Sequence, residues 1–376
     1  MIELSPFTID VPQAVLDDLR DRLERTRLPN AVEGIGWEQG MDRDVLVALL
    51  DHWRHGYDWR VHERRINRLQ QMVTEVDGQR IHLLHAKSRH EDALPLLLLH
   101  GWPGSIVEFL DAIDLLVDPP DGGDPFHVVA PSLPGFGWSG ETSAKGWHPR
   151  RMAEAFGLVM EALGYERYGA QGGDWGSIIA GNVADLFPAR VAGLHLNFVT
   201  VPRPKDAPPV SDEEERSMQA LYEWRRTGAG YQEQQGTKPQ SLGFALQDSP
   251  VGLAAWIVEK FQAWSDCDGD VTSSFSFDQL LTNVMAYWVT GTAASSLRIY
   301  WEMRQVGGAA VPRDPITVPT GIANFPAEIT KTPRAWVERR YNVTHWTHPA
   351  RGGHFAAMEV PDLFADDVRT FFRTVR

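Results

Sequence analysis

The most constraining stretch of this 376-residue chain is Pro95-Leu96-Leu97-Leu98-Leu99, which runs straight into His100-Gly101-Trp102-Pro103-Gly104. Consecutive leucines put apolar side chains on both faces of an extended segment, so a strand here must be covered on both sides. A mostly parallel sheet with helices against each face does that. The flanking sequence fits such a sheet. Residues 72–76 and 80–84 bracket Asp77-Gly78, a two-residue hairpin turn, and residues 127–130, 168–171 and 191–198 read as further strands with a helix over 151–163 between them.

Helical patterning precedes the sheet. Val15, Leu16, Leu19 and Leu23 form one stripe over 12–28, which Pro29 ends. Val45, Leu46, Leu49, Trp53, Ile66 and Leu69 mark a second region over 42–69, broken near Gly56. After Val199 the alternation stops. Pro202, Pro204, Pro208 and Pro209 make a linker, an acidic run over 212–215 opens a helix, and the chain stays helical to about Gln305. This block carries Trp224, Trp256, Trp264, Trp288 and Trp301; such residues more often pack a core than line a site. Strands return over 316–322 and 342–346, and a last helix starts near Pro361. A helical block interrupting a β/α series predicts a lid inserted in one domain. The expected division is an N-terminal extension over 1–70, a core over 71–199 and 309–376, and a lid over 200–308.

Composition narrows the function. With 36 basic and 50 acidic residues the formal charge is −14, which disfavours nucleic acid and anionic membrane surfaces and leaves a neutral small molecule as the expected partner. Cys267 is the only cysteine, so no intrachain disulfide can form, and we expect a plain thiol in a reducing compartment. No apolar run approaches the roughly 20 residues of a membrane span. The N-terminus lacks the basic and apolar regions of a signal peptide. A cytoplasmic location is expected.

Three motifs carry chemistry. Gly172-Gly173-Asp174-Trp175-Gly176 follows a strand and precedes a helix over 177–186. That is the shape of a nucleophile elbow, with aspartate where serine is usual. The exchange matters: serine alkylated at a saturated carbon would give an ether that water does not cleave, whereas aspartate gives an ester whose carbonyl water can attack. As a bare turn the segment would be a glycine-rich helix cap. The loop His100 to Ser105 follows the buried strand, where this architecture supplies one backbone N–H of an oxyanion hole, the residue after the nucleophile supplying the other. Those donors would be Trp102 and Trp175. Arg351-Gly352-Gly353-His354-Phe355 follows the last strand, the place of the general base, His354. Glu328 in Asn324-Phe325-Pro326-Ala327-Glu328 is the preferred acid to orient it, with Asp314 as the weaker alternative because it precedes its strand. His345 and His348 are read as structural, and no metal or organic cofactor is expected. Gly135-Phe136-Gly137-Trp138-Ser139-Gly140 matches a dinucleotide-binding fingerprint only literally, since no helix opens on its last glycine. Together these features predict an α/β-hydrolase fold: a mostly parallel eight-stranded sheet with helices on both faces, a helical lid after the sixth strand and an N-terminal helical extension.

The sequence resembles the microsomal-type branch of the epoxide hydrolases over nearly its whole length. The likeness rests on Tyr57-Asp58-Trp59-Arg60 and residues 63–69, on 100–105, 131–139 and 172–176, and on the lid runs Thr237-Lys238-Pro239 and Asp248-Ser249-Pro250-Val251-Gly252-Leu253. The resemblance implies two lid tyrosines that hold and protonate the epoxide oxygen, matching Tyr231 and Tyr300 here. An opening epoxide departs as an alkoxide, so a proton donor is required, and a phenol near pKa 10 is protonated at neutral pH. Membrane-bound relatives carry an N-terminal anchor, whereas this chain is expected to begin at the extra domain, and the resemblance leaves a homodimer open. It implies conversion of an epoxide to a vicinal diol through an ester on Asp174, hydrolysed by water that His354 activates. A haloalkane or haloacid dehalogenase would use the same aspartate, histidine and acid without needing the tyrosines. A binding protein that had lost turnover would be expected to lack one of the catalytic groups.

Overall fold

The computed structural model describes residues 2–376 except Asp121 and Pro208, together with all their side chains but that of Glu213; Pro208 of the expected linker thus lies outside the described residues. Among the described residues, nine strands form one sheet: β1 (Ser5–Phe7), β2 (Gln71–Val76), β3 (Gln79–Ala86), β4 (Leu94–Leu99), β5 (Phe126–Pro131), β6 (Tyr168–Gly172), β7 (Val191–Leu196), β8 (Ile316–Ala323) and β9 (Tyr341–Thr347). Their spatial order is β1-β2-β3-β5-β4-β6-β7-β8-β9. The first three join antiparallel to one another and to β5, and every pair from β5 to β9 is parallel. Leu96 to Leu99 are wholly buried at its centre.

The sheet has one strand more than expected. β1 is only three residues long and has Pro6 opposite Met72. So short a segment cannot display a period of two, and a proline is tolerated because the strand lies at the edge. The hairpin follows its turn chemistry: Asp77 and Gly78 both have positive φ, 51° and 76°, as a turn matching the twist of its strands requires. The N-terminal region folds as three helices, Gln13–Glu24, Arg43–His55 and Trp59–Ile66. Asp42 caps the second by accepting from the Asp44 and Val45 N–H groups, and Gly56 ends it. The first stops four residues short of Leu28, so Pro29 lies beyond the helix rather than at its end.

Between β7 and β8 the chain is helical, from Asp212–Thr227 to Arg298–Val306. The N-terminal helices brace this cap. His52 Nε2 lies 2.7 Å from Asp278, Tyr57 bonds Thr282 at 3.1 Å, and Arg22 bonds Asp248 at 2.9 Å. Because β4 and β6 are neighbours while β5 lies on the other side of β4, the chain reverses its winding there. The carboxyl ends of strands flanking such a reversal form a crevice. No helix among the described residues is long and apolar enough to cross a membrane.

Candidate active site

The loops at the carboxyl ends of β4, β6, β8 and β9 converge on one carboxyl group, that of Asp174. It is the first residue of the helix Asp174–Leu186 and has φ +48°, a conformation that strains any side-chain-bearing residue. The glycines around it make the turn possible. A Cβ on Gly172 would lie 2.2 Å from the Gly176 carbonyl oxygen, and one on Gly176 would lie 2.0 Å from that of Leu99. Gly101 serves the carboxylate directly, since a Cβ there would sit 2.2 Å from Asp174 Oδ1.

Asp174 Oδ1 accepts from the Trp102 backbone N–H at 2.8 Å. Asp174 Oδ2 lies 3.5 Å from His354 Nε2, which makes no hydrogen bond of its own. On the other side of the imidazole, Nδ1 faces both oxygens of Glu328, at 2.8 and 3.0 Å. His354 and Glu328 are both buried. Asp314 is exposed ahead of β8 and does not join them. Burial works against a charged imidazole, but the Glu328 and Asp174 carboxylates outweigh it and hold the His354 pKa well above its ordinary value.

The cap supplies both tyrosines. Tyr231, in the helix Gly230–Thr237, stacks on the Trp102 ring with centroids 5.3 Å apart and planes 14° apart. Tyr300, in Arg298–Val306, meets Trp102 and Trp175 edge-on at 5.8 and 4.7 Å and Tyr231 at 5.8 Å. Burial first, and then neighbouring negative charge including Asp174, pushes both phenols above the usual tyrosine range, so both remain protonated donors at neutral pH. Trp175 directly follows Asp174 in the helix's first turn, within this aromatic group.

The chain is similar to known proteins over nearly its whole length. Residues 4–109 match the profile of the epoxide hydrolase N terminus and residues 95–255 that of the alpha/beta hydrolase fold. A Stigmatella aurantiaca protein bearing a provisional epoxide hydrolase name is 46% identical over 99% of this chain and 86% of its own. Epoxide hydrolase 1 of Sus scrofa is 38% identical over 98% of this chain and 88% of its own. The chain belongs to the epoxide hydrolase family. In structure, the hydrolase is similar to the juvenile hormone epoxide hydrolase of the silkworm Bombyx mori, with a TM-score of 0.94 at 29% identity, covering 100% of this chain and 95% of that one.

The cap of the hydrolase also grips the loops that carry Trp102 and His354. Asn283 Nδ2 donates to the Pro103 carbonyl at 2.8 Å, Ser105 donates to Asn283 Oδ1 at 2.7 Å, and the Tyr287 hydroxyl donates to the Gly104 carbonyl. The His354 N–H donates to Trp264 O at 2.9 Å, and Gly352 N–H to Asp266 at 2.8 Å. Sequence reasoning missed these clamps, because neither asparagine nor tryptophan in a helical cap signals a partner so distant in the chain, 180 residues away for Asn283 and Pro103. The glycine-rich segment 135–140 belongs to the same support: Ser295 donates to Gly135 O at 2.6 Å, and Gly137 N–H donates to Thr292 at 3.0 Å. His345 and His348 have separate partners, Asp367 and the Trp346 indole.

Glu108 was also missed. It sits in the 3₁₀ turn Ile106–Phe109, buried among apolar neighbours. With His100, Gly104, Asp174, Asn197 and His354 it lines a cavity of about 20 Å³. Burial, the largest influence, pushes its carboxyl up to about 8; His354 pulls it down, and Asp174 and Glu359 push it up. The only advance signal was an acid standing alone in Ile106-Val107-Glu108-Phe109-Leu110.

Proposed function

We propose that this epoxide hydrolase works through a covalent ester on Asp174. The observation that carries the reading is the convergence on one carboxylate: Oδ1 is held by the Trp102 N–H at 2.8 Å and Oδ2 faces His354 at 3.5 Å. The Asp174 carboxylate attacks an epoxide carbon, the C–O bond breaks, and the departing oxygen takes a proton from Tyr231 or Tyr300. Glu328 fixes the His354 tautomer, with Nδ1 turned to the acid and Nε2 to the ester. His354 then takes one proton from water as the water oxygen bonds to the Asp174 carbonyl carbon. The oxyanion is met by the N–H groups of Trp102 and Trp175. Collapse restores the Asp174 carboxylate and releases a vicinal diol; one water proton ends on the second hydroxyl and the other restores the tyrosine. No metal or organic cofactor takes part. The partners are a small epoxide and water, and the inferred location is cytoplasmic.

The protonated phenols favour this over dehalogenation, because a halide leaves without an acid. The test is intact-protein and peptide mass spectrometry of His354→Gln after brief exposure to styrene oxide. We expect an adduct of substrate mass on Asp174 that persists for minutes. A folded variant carrying an adduct only after exposure to a haloalkane would replace the reading with a dehalogenase.

A further inference from the structure

Lys260, in the cap helix Pro250–Ala263, keeps its ammonium group among aromatic rings and is itself buried. Its Nζ lies 4.8 Å from the centre of the Tyr231 ring, 5.9 Å from that of Trp264 and 6.0 Å from that of Trp256. Among the described residues its only ion pair is with Glu259, its neighbour in the chain and the more exposed of the two. A lysine is rarely buried, because its charge must leave water. Packing does not explain the charge, since a methionine would fill the same length of space. The ring nearest the ammonium belongs to one of the two phenols that face the epoxide oxygen. The two phenols are not equivalent. Gln232 Nε2 donates to the Tyr231 hydroxyl oxygen at 2.9 Å, which leaves the hydroxyl hydrogen for another acceptor. Burial opposes ionisation of both, and so does the charge of Asp174, joined at Tyr231 by Glu259; but the contact between the phenols favours an ionised Tyr231 and disfavours an ionised Tyr300. Among the described residues no lysine or arginine lies over the Tyr300 ring.

We propose that Lys260 is a positioning residue that selects Tyr231 as the phenol that protonates the departing oxygen, by stabilising the phenolate formed as it does so. The inference rests on the ester mechanism above. When the epoxide C–O bond breaks, its electron pair goes to oxygen, and that oxygen takes the Tyr231 hydroxyl proton. The negative charge passes to the phenolate and spreads into the ring that Lys260 faces. In a site closed to water, an ammonium attracts a full charge far more strongly than it attracts a neutral ring. The stabilisation therefore grows as the bond breaks, which is what accelerates a step. Ester formation also removes the Asp174 charge, one of the influences opposing the phenolate. Lys260 gives up no proton; water restores the phenol in the second half-reaction. Tyr300 holds the same oxygen by a hydrogen bond.

The test follows ester formation and ester decay separately in the full-length enzyme, by rapid-quench mass spectrometry with styrene oxide. Lys260→Met is expected to slow formation by about 10-fold, less than loss of the phenol itself, and to leave decay within about twofold of wild type. Lys260→Gln, polar but uncharged, should give the same result and carries the test if the methionine variant does not fold. Lys260→Arg should restore part of the rate. The decisive comparison is a double-variant cycle. Tyr231→Phe keeps the ring beside the ammonium and removes only the hydroxyl, so Lys260→Met should slow formation no further there. In Tyr300→Phe it should cost its full factor. Adding Glu259→Gln to Lys260→Met should leave the loss in place. Unchanged formation in the uncharged variants would overturn the proposal. So would a loss of the same size in the Tyr231→Phe background, the pattern of a packing residue, or a loss that vanishes once Glu259 is neutralised, the pattern of an unpaired acid. If neither wild type nor His354→Gln forms an ester, the Asp174 reading itself fails and this proposal falls with it.

Discussion

Two buried histidine–carboxylate clusters stand in this one sheet, and they are built in opposite senses. At the carboxyl ends of the strands one histidine lies between two acids, with Glu328 at Nδ1 and Asp174 beyond Nε2. Under the C-terminal helix Pro361–Phe372 one acid lies between two histidines: Asp367 Oδ1 is 2.9 Å from His195 and 3.1 Å from His345, and Oδ2 accepts from Thr347 at 2.5 Å. Burial pushes the Asp367 carboxyl up, but the hydrogen bond and charge of His195, then Thr347 and His345, outweigh it and hold its pKa low. A carboxylate so saturated pins β7 and β9 to the helix, with no oxygen left for a reaction. Each cluster leaves one buried imidazole nitrogen unbonded, Nδ1 of His195 and Nε2 of His354, and the difference is that the free nitrogen of His354 lies 3.5 Å from a second carboxylate, Asp174, held in a strained turn. A buried histidine–acid pair is therefore no sign of catalysis by itself; what decides is the free nitrogen and what it faces.

Glu328→Gln should produce the largest effect on this contrast, slowing ester decay by about 10³-fold, within the range known when an orienting acid is neutralised. It should also shift the pH profile. Glu328 raises the His354 pKa, and the base acts only when deprotonated, so removing that charge should move the acid limb of ester decay to lower pH. Stopped-flow decay across pH 5–9 checks both expectations.

Tyr231→Phe and Tyr300→Phe come next. Each should slow ester formation by about 10²-fold while leaving decay of a preformed ester nearly unchanged. Because both phenols are held above the usual tyrosine range, wild-type ester formation should show no alkaline loss from tyrosine ionisation up to pH 10. A loss centred below that would contradict the assignment.

Asp367→Asn should have the smallest kinetic effect, under about twofold on either step, but a marked cost in stability. Removing one partner of a buried cluster costs on the order of 2–4 kcal/mol. The sign follows from the depressed pKa: the contribution is present above the ordinary carboxylate value near ~3.9 and is lost as pH falls through the folded value. Thermal melts at pH 7 and pH 3 should therefore differ less in the variant than in wild type. A kinetic defect without a stability loss would remove the distinction between the clusters.

These two clusters also mark how far the sequence could be read. Asp174, His354 and the Trp102 loop were legible because backbone sterics force glycines into the elbow and the loops, and glycines leave a mark in sequence. Glu328 was preferred over Asp314 by its place after a strand, and the structure sets Glu328 beside His354. The edge strand Ser5–Phe7 was too short to pattern. Tyr231 and Tyr300 entered through resemblance alone, since an aromatic residue in a helical cap looks the same whether it packs or reacts. Glu108 and Asp367 were silent for a related reason: an acid's burial is decided by distant parts of the chain, here Gly104 and His354 for one, His195 and His345 for the other.

In the ester mechanism the oxygen added to the substrate comes first from Asp174 and only later from water. A single turnover in ¹⁸O-water, with enzyme in excess over styrene oxide, tests it most directly. The first-turnover diol should be free of ¹⁸O, with the label recovered in the Asp174 carboxylate by peptide mass spectrometry. A first-turnover diol that carries ¹⁸O, with Asp174 unlabelled, would mean that water attacks the epoxide itself and that no ester forms.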